Sequence, residues 1–185
     1  MIGLRIGVVV GSIRKGSINA QLALALQQFA PAGFAFHRIR IDDLPLYNHD
    51  TDPLPAPVLR LRQDVLDADA ILFVTPEYNR SIPGVLKNAI DHASRPHKHG
   101  VWLGKPAGLI GTTPGVLGTA AAQQHLRNVL ACVGMPTMPV PEAFIHCVEG
   151  FFTPEGTIAR EDTRAFLADW MECFLAWAQQ HARPR

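Results

Sequence analysis

The sequence predicts an α/β protein in which a doubly wound, five-stranded parallel sheet carries helices on both faces. Short apolar runs alternate with segments of helical periodicity along the chain. The runs 4–10 and 70–75 are too short for helices and have no polar face, as strands buried on both sides require. A chain of 185 residues without internal repeats is long enough for one core and short for two. We therefore expect a single domain over residues 1–185.

The first half of the chain predicts two strand–helix pairs. Residues 4–10 are rich in β-branched side chains and predict a central strand, and residues 18–29 have apolar side chains at helical spacing. Residues 34–41 alternate apolar with basic side chains, which is typical of an outer strand. Residues 43–57 are too rich in proline for regular structure, and residues 56–68 are again helical in pattern.

The second half continues the alternation. Residues 70–75 predict a buried strand, and residues 84–93 predict a helix after a loop that contains two prolines. Residues 105–111 predict a further strand, residues 117–133 a helix, and residues 136–145 should hold the last strand. The final helix is expected over residues 161–182, with an apolar face that includes Phe166, Leu167, Trp170, Phe174 and Trp177.

Composition limits the kinds of partner and compartment. A formal net charge of +1 gives no general attraction to nucleic acid or to an anionic membrane. No apolar run approaches the roughly 18 residues of a spanning helix, and the first residues lead directly into a strand without room for a signal peptide. We expect a cytoplasmic protein. Cys132, Cys147 and Cys173 are far apart, so we expect buried thiols and neither disulfides nor a metal site.

The predicted topology directs attention to three loops. In a doubly wound sheet, ligands bind at the carboxyl ends of the strands, near the point where the strand order reverses. The loops that follow the three most apolar strands cover residues 11–17, 75–83 and 111–119. We expect these loops to meet at one edge of the sheet and to form the ligand site.

The first of these loops has the sequence GSIRKGS and is suited to phosphate. Its glycines are spaced as in a nucleotide triphosphatase, but Ser17 stands where that motif has lysine. The dinucleotide fingerprint G-x-G-x-x-G is absent, and so is a nucleophilic cysteine. Ser12, Arg14, Ser17 and Asn19, together with the amides of the following helix, could hold a phosphate monoester. The alternative is a tight turn with a capping serine.

The second loop, TPEYNRSIP, combines an aromatic residue with amide and carboxylate groups between two prolines. A planar heterocycle could lie there, with Tyr78 at its edge or face and backbone amides of residues 77–79 meeting ring heteroatoms. The alternative is that Glu77 and Asn79 only cap a turn.

Together the loops resemble the NADPH-dependent FMN reductases of flavodoxin-like fold, which include quinone, azo-dye and chromate reductases. The second family signature, P-E-Y-N-x-S-x-P-G-x-L-K-N-A-I-D, is similar to residues 76–91. The segments 43–50 and 112–127 also resemble the family, so the resemblance runs from about residue 4 to residue 133. The phosphate signature, G-S-[LI]-R-x-x-S-x-N, is matched by Gly11, Ser12, Ile13, Arg14, Ser17 and Asn19.

The resemblance implies a cofactor, a reaction and a set of site residues. FMN and NADPH are the implied cofactors, and a hydride would pass from NADPH through FMN to a quinone or a similar small acceptor such as an azo compound, chromate or free flavin. No catalytic side chain is expected. The implied phosphate site consists of Ser12, Arg14, Ser17, Ile18 and Asn19. The implied ring site consists of Pro76, Glu77, Tyr78 and Asn79. Thr112, Thr113, Pro114 and Gly115 should lie at the pyrimidine side of the ring.

The resemblance also implies a homodimer or homotetramer, with residues 91–102 at a subunit contact. His92 and Thr119 depart from the aromatic and glycine residues that relatives often have there, and both could touch the ring site or a partner subunit. An alternative function is an electron carrier or a flavin-binding redox sensor that docks a protein partner. A net charge of +1 disfavours the carrier, because such proteins are usually strongly acidic.

Overall fold

Five parallel strands form one sheet in the order β2-β1-β3-β4-β5 in a computed structural model that describes residues 3–96 and 100–182. The strands are β1 (Arg5–Val10), β2 (Ala35–Ile39), β3 (Ala70–Val74), β4 (Ala107–Thr113) and β5 (Phe144–His146). The helices are α1 (Ile18–Gln27), α2 (Ala56–Asp67), α3 (Gly84–Ala93), α4 (Ala120–Cys132) and α5 (Glu161–His181). This order and the helical layers on both faces confirm the predicted flavodoxin-like, doubly wound fold.

Each face of the sheet has its own apolar core. Helices α1 and α5 cover one face, where Leu22, Trp170 and Phe174 are fully buried. Helices α2, α3 and α4 cover the other, where Leu86 and Trp102 are fully buried. Strands β1 and β3 lie between both layers, which explains why their sequences are apolar without alternation.

The structure corrects the limits of several predicted elements. Strand β4 covers Ala107–Thr113, two residues later at both ends than the predicted 105–111, so the loop after it begins at residue 114 and not at 111. Strand β5 covers only Phe144–His146, near the end of the predicted segment 136–145, because three prolines interrupt that segment. Helix α4 begins at Ala120, three residues later than predicted, because Gly118 has a φ of 61° and cannot continue a right-handed helix.

The predicted apolar face of α5 is partly wrong. Leu167, Trp170 and Phe174 are buried, but Phe166 is 41% exposed and Trp177 is only half-buried. Met171 and Leu175 complete the buried stripe instead. The buried stripe therefore follows the 3.6-residue period of the helix, whereas the predicted face also included the large side chains of Phe166 and Trp177.

The prediction of buried thiols is wrong for two cysteines. Cys132 and Cys173 are exposed, because they lie on the outward faces of α4 and α5, whereas Cys147 is half-buried. Burial raises the pKa of the Cys147 thiol. Within residues 3–96 and 100–182, no helix is long and apolar enough to cross a bilayer. Residues 97–99, which belong to the segment 91–102 expected at a subunit contact, lie outside the described residues.

Candidate functional site

Three loops meet at the carboxyl edge of the sheet, as the topology predicts. We call them loop 1 (residues 11–17, after β1), loop 2 (75–83, after β3) and loop 3 (114–119, after β4). Strand β3 lies between β1 and β4, so the ends of β1 and β4 are two strand spacings, roughly 10 Å, apart.

Loop 1 presents a continuous set of free backbone amides. Ser17 caps α1 by accepting a hydrogen bond from the amide of Ala20 at 3.2 Å. Among the described residues, no backbone amide of residues 12–19 donates a hydrogen bond to another protein group. A Cβ added to Gly16 would meet no atom within 4 Å, so the loop is open above these amides. Such an arrangement at a helix N-terminus is suited to an anion.

A cavity of about 190 Å³ lies beside loop 1 and is rich in guanidinium groups. Ser12 is 5% exposed and lines the cavity, and its hydroxyl has no hydrogen-bond partner in the described part of the chain. Arg14 and Arg38 also line it without a hydrogen bond or ion pair to any described residue. Partial burial lowers the pKa of the Arg38 guanidinium. A phosphate here would give these groups the partner that the protein does not supply.

Arg40 lines the same cavity but is already neutralised. Its guanidinium pairs with Asp42 at 3.2 Å and with Asp43 at 3.5 Å. Arg60 forms a two-pronged contact with Asp43, with distances of 2.6 and 2.7 Å, and these hydrogen bonds hold the pKa of the Asp43 carboxyl below its ordinary value. Arg14 and Arg38 are therefore the lining guanidiniums without a hydrogen bond or ion pair to a described residue, while the carboxylate of Asp42, which also lines the cavity, attracts Arg38 over a longer distance.

Asn19 uses its side chain to join α1 to β4. Its Nδ2 donates to the carbonyl of Thr112 at 2.9 Å, and its Oδ1 accepts from the amide of Thr112 at 3.0 Å. Asn19 is 1% exposed and Thr112 is fully buried. Asn19 can therefore offer a phosphate only its backbone amide, as Ile18 does, since the amides of a first helical turn have no intrahelical acceptor.

Loop 2 contains a tight two-residue turn. The amide of Tyr78 donates to the carbonyl of Ser81 at 2.9 Å, and the amide of Ser81 donates back at 3.0 Å. Asn79 and Arg80 have φ values of 52° and 66°, as in a type I′ turn. An arginine in this conformation costs roughly 1–2 kcal/mol, and glycine is the preferred residue. Since the amide of Tyr78 belongs to the turn, only those of Glu77 and Asn79 could meet a ring.

Two side chains hold loop 2 on the first turns of α4. The carboxylate of Glu77 accepts a hydrogen bond from the amide of Ala122 at 3.0 Å and so caps this helix, whose own N-cap residue, Thr119, makes no side-chain cap. Ser81 and His125 are hydrogen-bonded at 2.7 Å. Glu77 therefore positions the loop through α4, and Pro76 stands half-buried at its base.

Hydrogen bonds to β5 hold the end of β4 and the start of loop 3. The hydroxyl of Thr112 donates to the carbonyl of Ile145 at 3.0 Å, and His146 is within 3.0 Å of the carbonyl of Pro114. In the described part of the chain, the amides of Val116 and Leu117 have no hydrogen-bond partner. These amides remain available to negative charge on a ligand.

A second cavity, of about 370 Å³, lies between loops 2 and 3. Val116 and Leu117 are 81% and 54% exposed, which is unusual for apolar side chains in a loop held on both sides. A cavity of this size with an apolar wall suits a planar ring system. It is lined by Glu77, Asn79, Arg80, Thr113, Gly115, Val116, Leu117 and Gly118.

The two departures, His92 and Thr119, lie in the interior. His92 is 4% exposed, and its Nε2 is 2.9 Å from the carbonyl of Pro45. Its ring meets Tyr47 edge-on, with centroids 5.4 Å apart. Thr119 is fully buried and accepts a hydrogen bond from Gln123 at 2.8 Å. Both residues therefore support the fold around the site and are too buried to form its surface.

Arg38 and Arg80 line the two cavities but were not predicted from the sequence. Arg38 lies near the end of β2, beside the loop that follows β1. Its basic side chain in an outer strand, together with the parallel topology, could have indicated that it lies near the phosphate loop. Arg80 is the residue before the serine of the second signature, and the turn that exposes it depends on φ values that the sequence does not reveal.

The residues present fit FMN. The free amides and guanidiniums of loop 1 suit a phosphate monoester, and the cavity between loops 2 and 3 suits a ring. The phosphate end and the ring end of the site are separated by two strand spacings of the sheet. Tyr78, which is 47% exposed, stands on loop 2 at the ring end of the site.

Comparison with known proteins agrees with this fit. A 2-hydroxy-1,4-benzoquinone reductase of a Burkholderia species is 49% identical over 95% of this chain and 97% of that protein. The flavoenzyme FerB, an NAD(P)H:(acceptor) oxidoreductase of Paracoccus denitrificans, has a TM-score of 0.92 and 44% identity, with 97% of this chain and all of that chain covered. A WrbA-like flavodoxin of Agrobacterium tumefaciens, with 19% identity over 97% of this chain and 99% of that one, shares the fold with a TM-score of 0.63. The sequence model of the NADPH-dependent FMN reductases matches residues 4–150, and the chain belongs to this family of FMN- and NAD(P)H-using oxidoreductases.

Proposed function

We propose that this protein is an NAD(P)H-dependent quinone reductase that holds one FMN per chain in a single domain over residues 1–185. Family membership supports the cofactors, and the quinone reductases among the relatives support the acceptor. When bound, FMN supplies a carrier that accepts two electrons from a nicotinamide nucleotide and passes them to a quinone.

In this proposal the phosphate end of the site binds by charge and by backbone amides. Ser12, Arg14 and Ser17 stand around the free amides of loop 1, and the amides of Ile18 and Asn19 point from the first turn of α1. Arg38 adds a second unpaired guanidinium. Charge-assisted hydrogen bonds of this kind are about twice as strong as neutral ones, so FMN should bind far more tightly than riboflavin.

The ring end binds by shape and by backbone groups. Pro76, Glu77, Tyr78 and Asn79 come from loop 2, and Thr113, Pro114 and Gly115 come from the end of β4 and from loop 3. Thr112 is fully buried and bonded to Asn19 and Ile145, so in this proposal it supports the ring end from below and does not contact the ring. The free amides of Val116 and Leu117 would stabilise the negative charge of a reduced ring without a titrating side chain. The protein's task is then to position donor and acceptor against one face.

The observation that carries the proposal is the meeting of an anion site and a ring-sized cavity at one edge of the sheet. The test begins with the yellow, FMN-loaded protein under anaerobic conditions. NADPH alone should bleach the flavin spectrum, and a quinone added afterwards should restore it. Initial rates at several quinone concentrations should give parallel lines, because both substrates use the same face in turn.

An electron carrier is the second candidate. The same experiment distinguishes it from the enzyme, because the flavin of a carrier is not bleached by NADPH alone and requires a protein reductase. The net charge of +1 favours the enzyme, since a carrier that docks basic partners would be acidic.

We further propose that the protein acts in the cytoplasm as a homodimer or homotetramer, with the surface between α3 and α4 as the subunit contact. Leu103 is 50% exposed beside the half-buried Val129 and Val133, and the exposed Cys132 lies on the same surface. Trp102 is fully buried, so it supports this surface from below. Light scattering should give a multiple of 20.2 kDa, and Leu103→Glu should shift the mass towards the monomer.

A further inference from the structure

Arg80 places a positive charge at the ring cavity without a partner in the protein. The residue is exposed and lines the cavity between loops 2 and 3. It makes no hydrogen bond or ion pair with any residue in 3–96 and 100–182. The other ionisable group at the cavity, Glu77, has its carboxylate at the N-terminus of α4, where the amide of Ala122 and the helix dipole offset its charge. Arg80 is therefore the one cationic side chain among the described residues that line this cavity, and the carboxylate of Glu77 is already engaged by α4.

The backbone of Arg80 has an unfavourable conformation. Its φ of 66° lies in the left-handed region, at the turn position where glycine is preferred. The turn itself gains nothing from the guanidinium, because the Tyr78–Ser81 hydrogen bonds are made by the backbone alone. Strain of this kind at the rim of a site is typical of residues that serve a ligand.

The cofactor does not need this charge. The anionic end of FMN is met by loop 1 and by Arg14 and Arg38, at the ends of β1 and β2, whereas Arg80 follows β3 and faces loop 3. The groups opposite Arg80 are the exposed side chains of Val116 and Leu117, which suit the apolar face of an aromatic molecule.

We propose that Arg80 is a specificity-determining residue that selects quinones bearing an ionised acidic substituent, such as a 2-hydroxyquinone, which is a vinylogous carboxylic acid. This inference rests on the proposed quinone reductase function. The guanidinium at the open rim of the cavity binds the anionic oxygen, while the exposed side chains of Val116 and Leu117 contact a quinone that lies outside the space taken by the FMN ring. The contact is one of binding and leaves the electron balance of the reaction unchanged: two electrons and two protons convert the quinone to its hydroquinone.

The test compares two quinones of matched size on the FMN-loaded protein. 2-Hydroxy-1,4-naphthoquinone is anionic at neutral pH, and 2-methoxy-1,4-naphthoquinone is neutral. Dissociation constants are measured by calorimetry without NADPH, and kcat/KM is measured with it. Arg80→Gln should weaken binding of the hydroxyquinone by about five- to tenfold and change binding of the methoxyquinone by less than about twofold. Arg80→Lys should lose less than Arg80→Gln, because it keeps the charge.

Two controls separate the contact from general effects. Arg164→Gln removes the same charge from the first turn of α5, where Arg164 pairs with Glu161, and should leave both quinones unaffected. Arg80→Gly removes the charge and the strain together, so it should raise the urea midpoint of unfolding while it still loses the preference for the hydroxyquinone. This variant also keeps the test open if Arg80→Gln folds poorly.

Three results would overturn the inference. Equal loss for both quinones would mean that Arg80 shapes loop 2. A raised KM for NADPH with unchanged quinone binding would mean that the guanidinium binds the nucleotide. Unchanged values throughout would mean that Arg80 contacts neither. If the wild type reduces neither quinone, the proposed function fails, and the titration without NADPH still decides the role of Arg80.

Discussion

Asn19→Ala tests whether this side chain stabilises the fold or binds the cofactor. The substitution removes both hydrogen bonds to Thr112, at 2.9 and 3.0 Å, and leaves a buried amide and a buried carbonyl without partners. Each unsatisfied buried group costs about 1–3 kcal/mol, so the free energy of unfolding should fall by about 2–6 kcal/mol. With a urea slope of about 2 kcal/mol/M, the midpoint should fall by about 1–3 M.

Urea titration of the FMN-free protein, followed by fluorescence of the buried Trp102 and Trp170, measures this change. Ser17→Ala is the matched control in the same helix, because it removes only the cap and should cost about 1 kcal/mol. FMN affinity is measured on the same variants. An unchanged midpoint for Asn19→Ala together with a tenfold loss of FMN affinity would refute the reasoning and make the Asn19 side chain a phosphate ligand.

Three further predictions concern the loops and their supports. Arg14→Ala should weaken FMN binding by about ten- to a hundredfold, equivalent to about 1.5–3 kcal/mol, and leave riboflavin binding unchanged in fluorescence titrations; equal losses for both would exclude a phosphate contact. Glu77→Ala should lower the free energy of unfolding by about 1 kcal/mol, and Glu77→Gln by less, because glutamine still accepts from Ala122; equal effects in urea titrations would contradict the cap. Asp43 has a pKa lowered by hydrogen bonds from Arg60, so its stabilising contribution is complete above its ordinary pKa of roughly 4 and is lost as the pH falls through the lowered folded value. The stability difference between wild type and Asp43→Asn should therefore shrink on acidification, and a difference that is constant from pH 7 to pH 2 would contradict it.

The sequence was sufficient for the fold wherever a local pattern decides the structure. Strands β1 and β3 are apolar throughout because they are buried on both faces, and their positions agree with the prediction to within a residue at most ends. The helix over residues 161–182 was also predicted closely, since its length is set by its periodicity. Strand β5 was not, because three prolines leave only three residues of it in the sheet.

The site was predictable as a place but not in its contacts. Family resemblance and topology together indicate the three loops, yet the partners of Asn19 and Glu77 are 93 and 45 residues distant along the chain. No local period encodes such pairs, so the sequence indicates Asn19 and Glu77 as residues of the site but does not reveal that their side chains bond to Thr112 and Ala122. The positive φ of Arg80 escaped prediction for a related reason, because the turn is closed by backbone hydrogen bonds that any residue could make.

Different side chains support the loops of the ring cavity and line its open surface, and this has a consequence for how acceptor preference can evolve. The side chains that hold loop 2 in place, those of Glu77 and Ser81, bond to α4, so their replacement would remove these supports. Arg80, Val116 and Leu117 line the same cavity, are exposed, and have no side-chain hydrogen bonds in the described part of the chain. Exchanges at exposed positions such as Val116 and Leu117 usually change stability by less than about 0.5 kcal/mol. At Arg80 the positive φ favours glycine or asparagine, so this position tolerates fewer residues. A library randomised at Val116 and Leu117, with Arg80 exchanged only for lysine, asparagine or glycine, should therefore yield mostly folded, FMN-binding variants that differ in the acceptors they reduce.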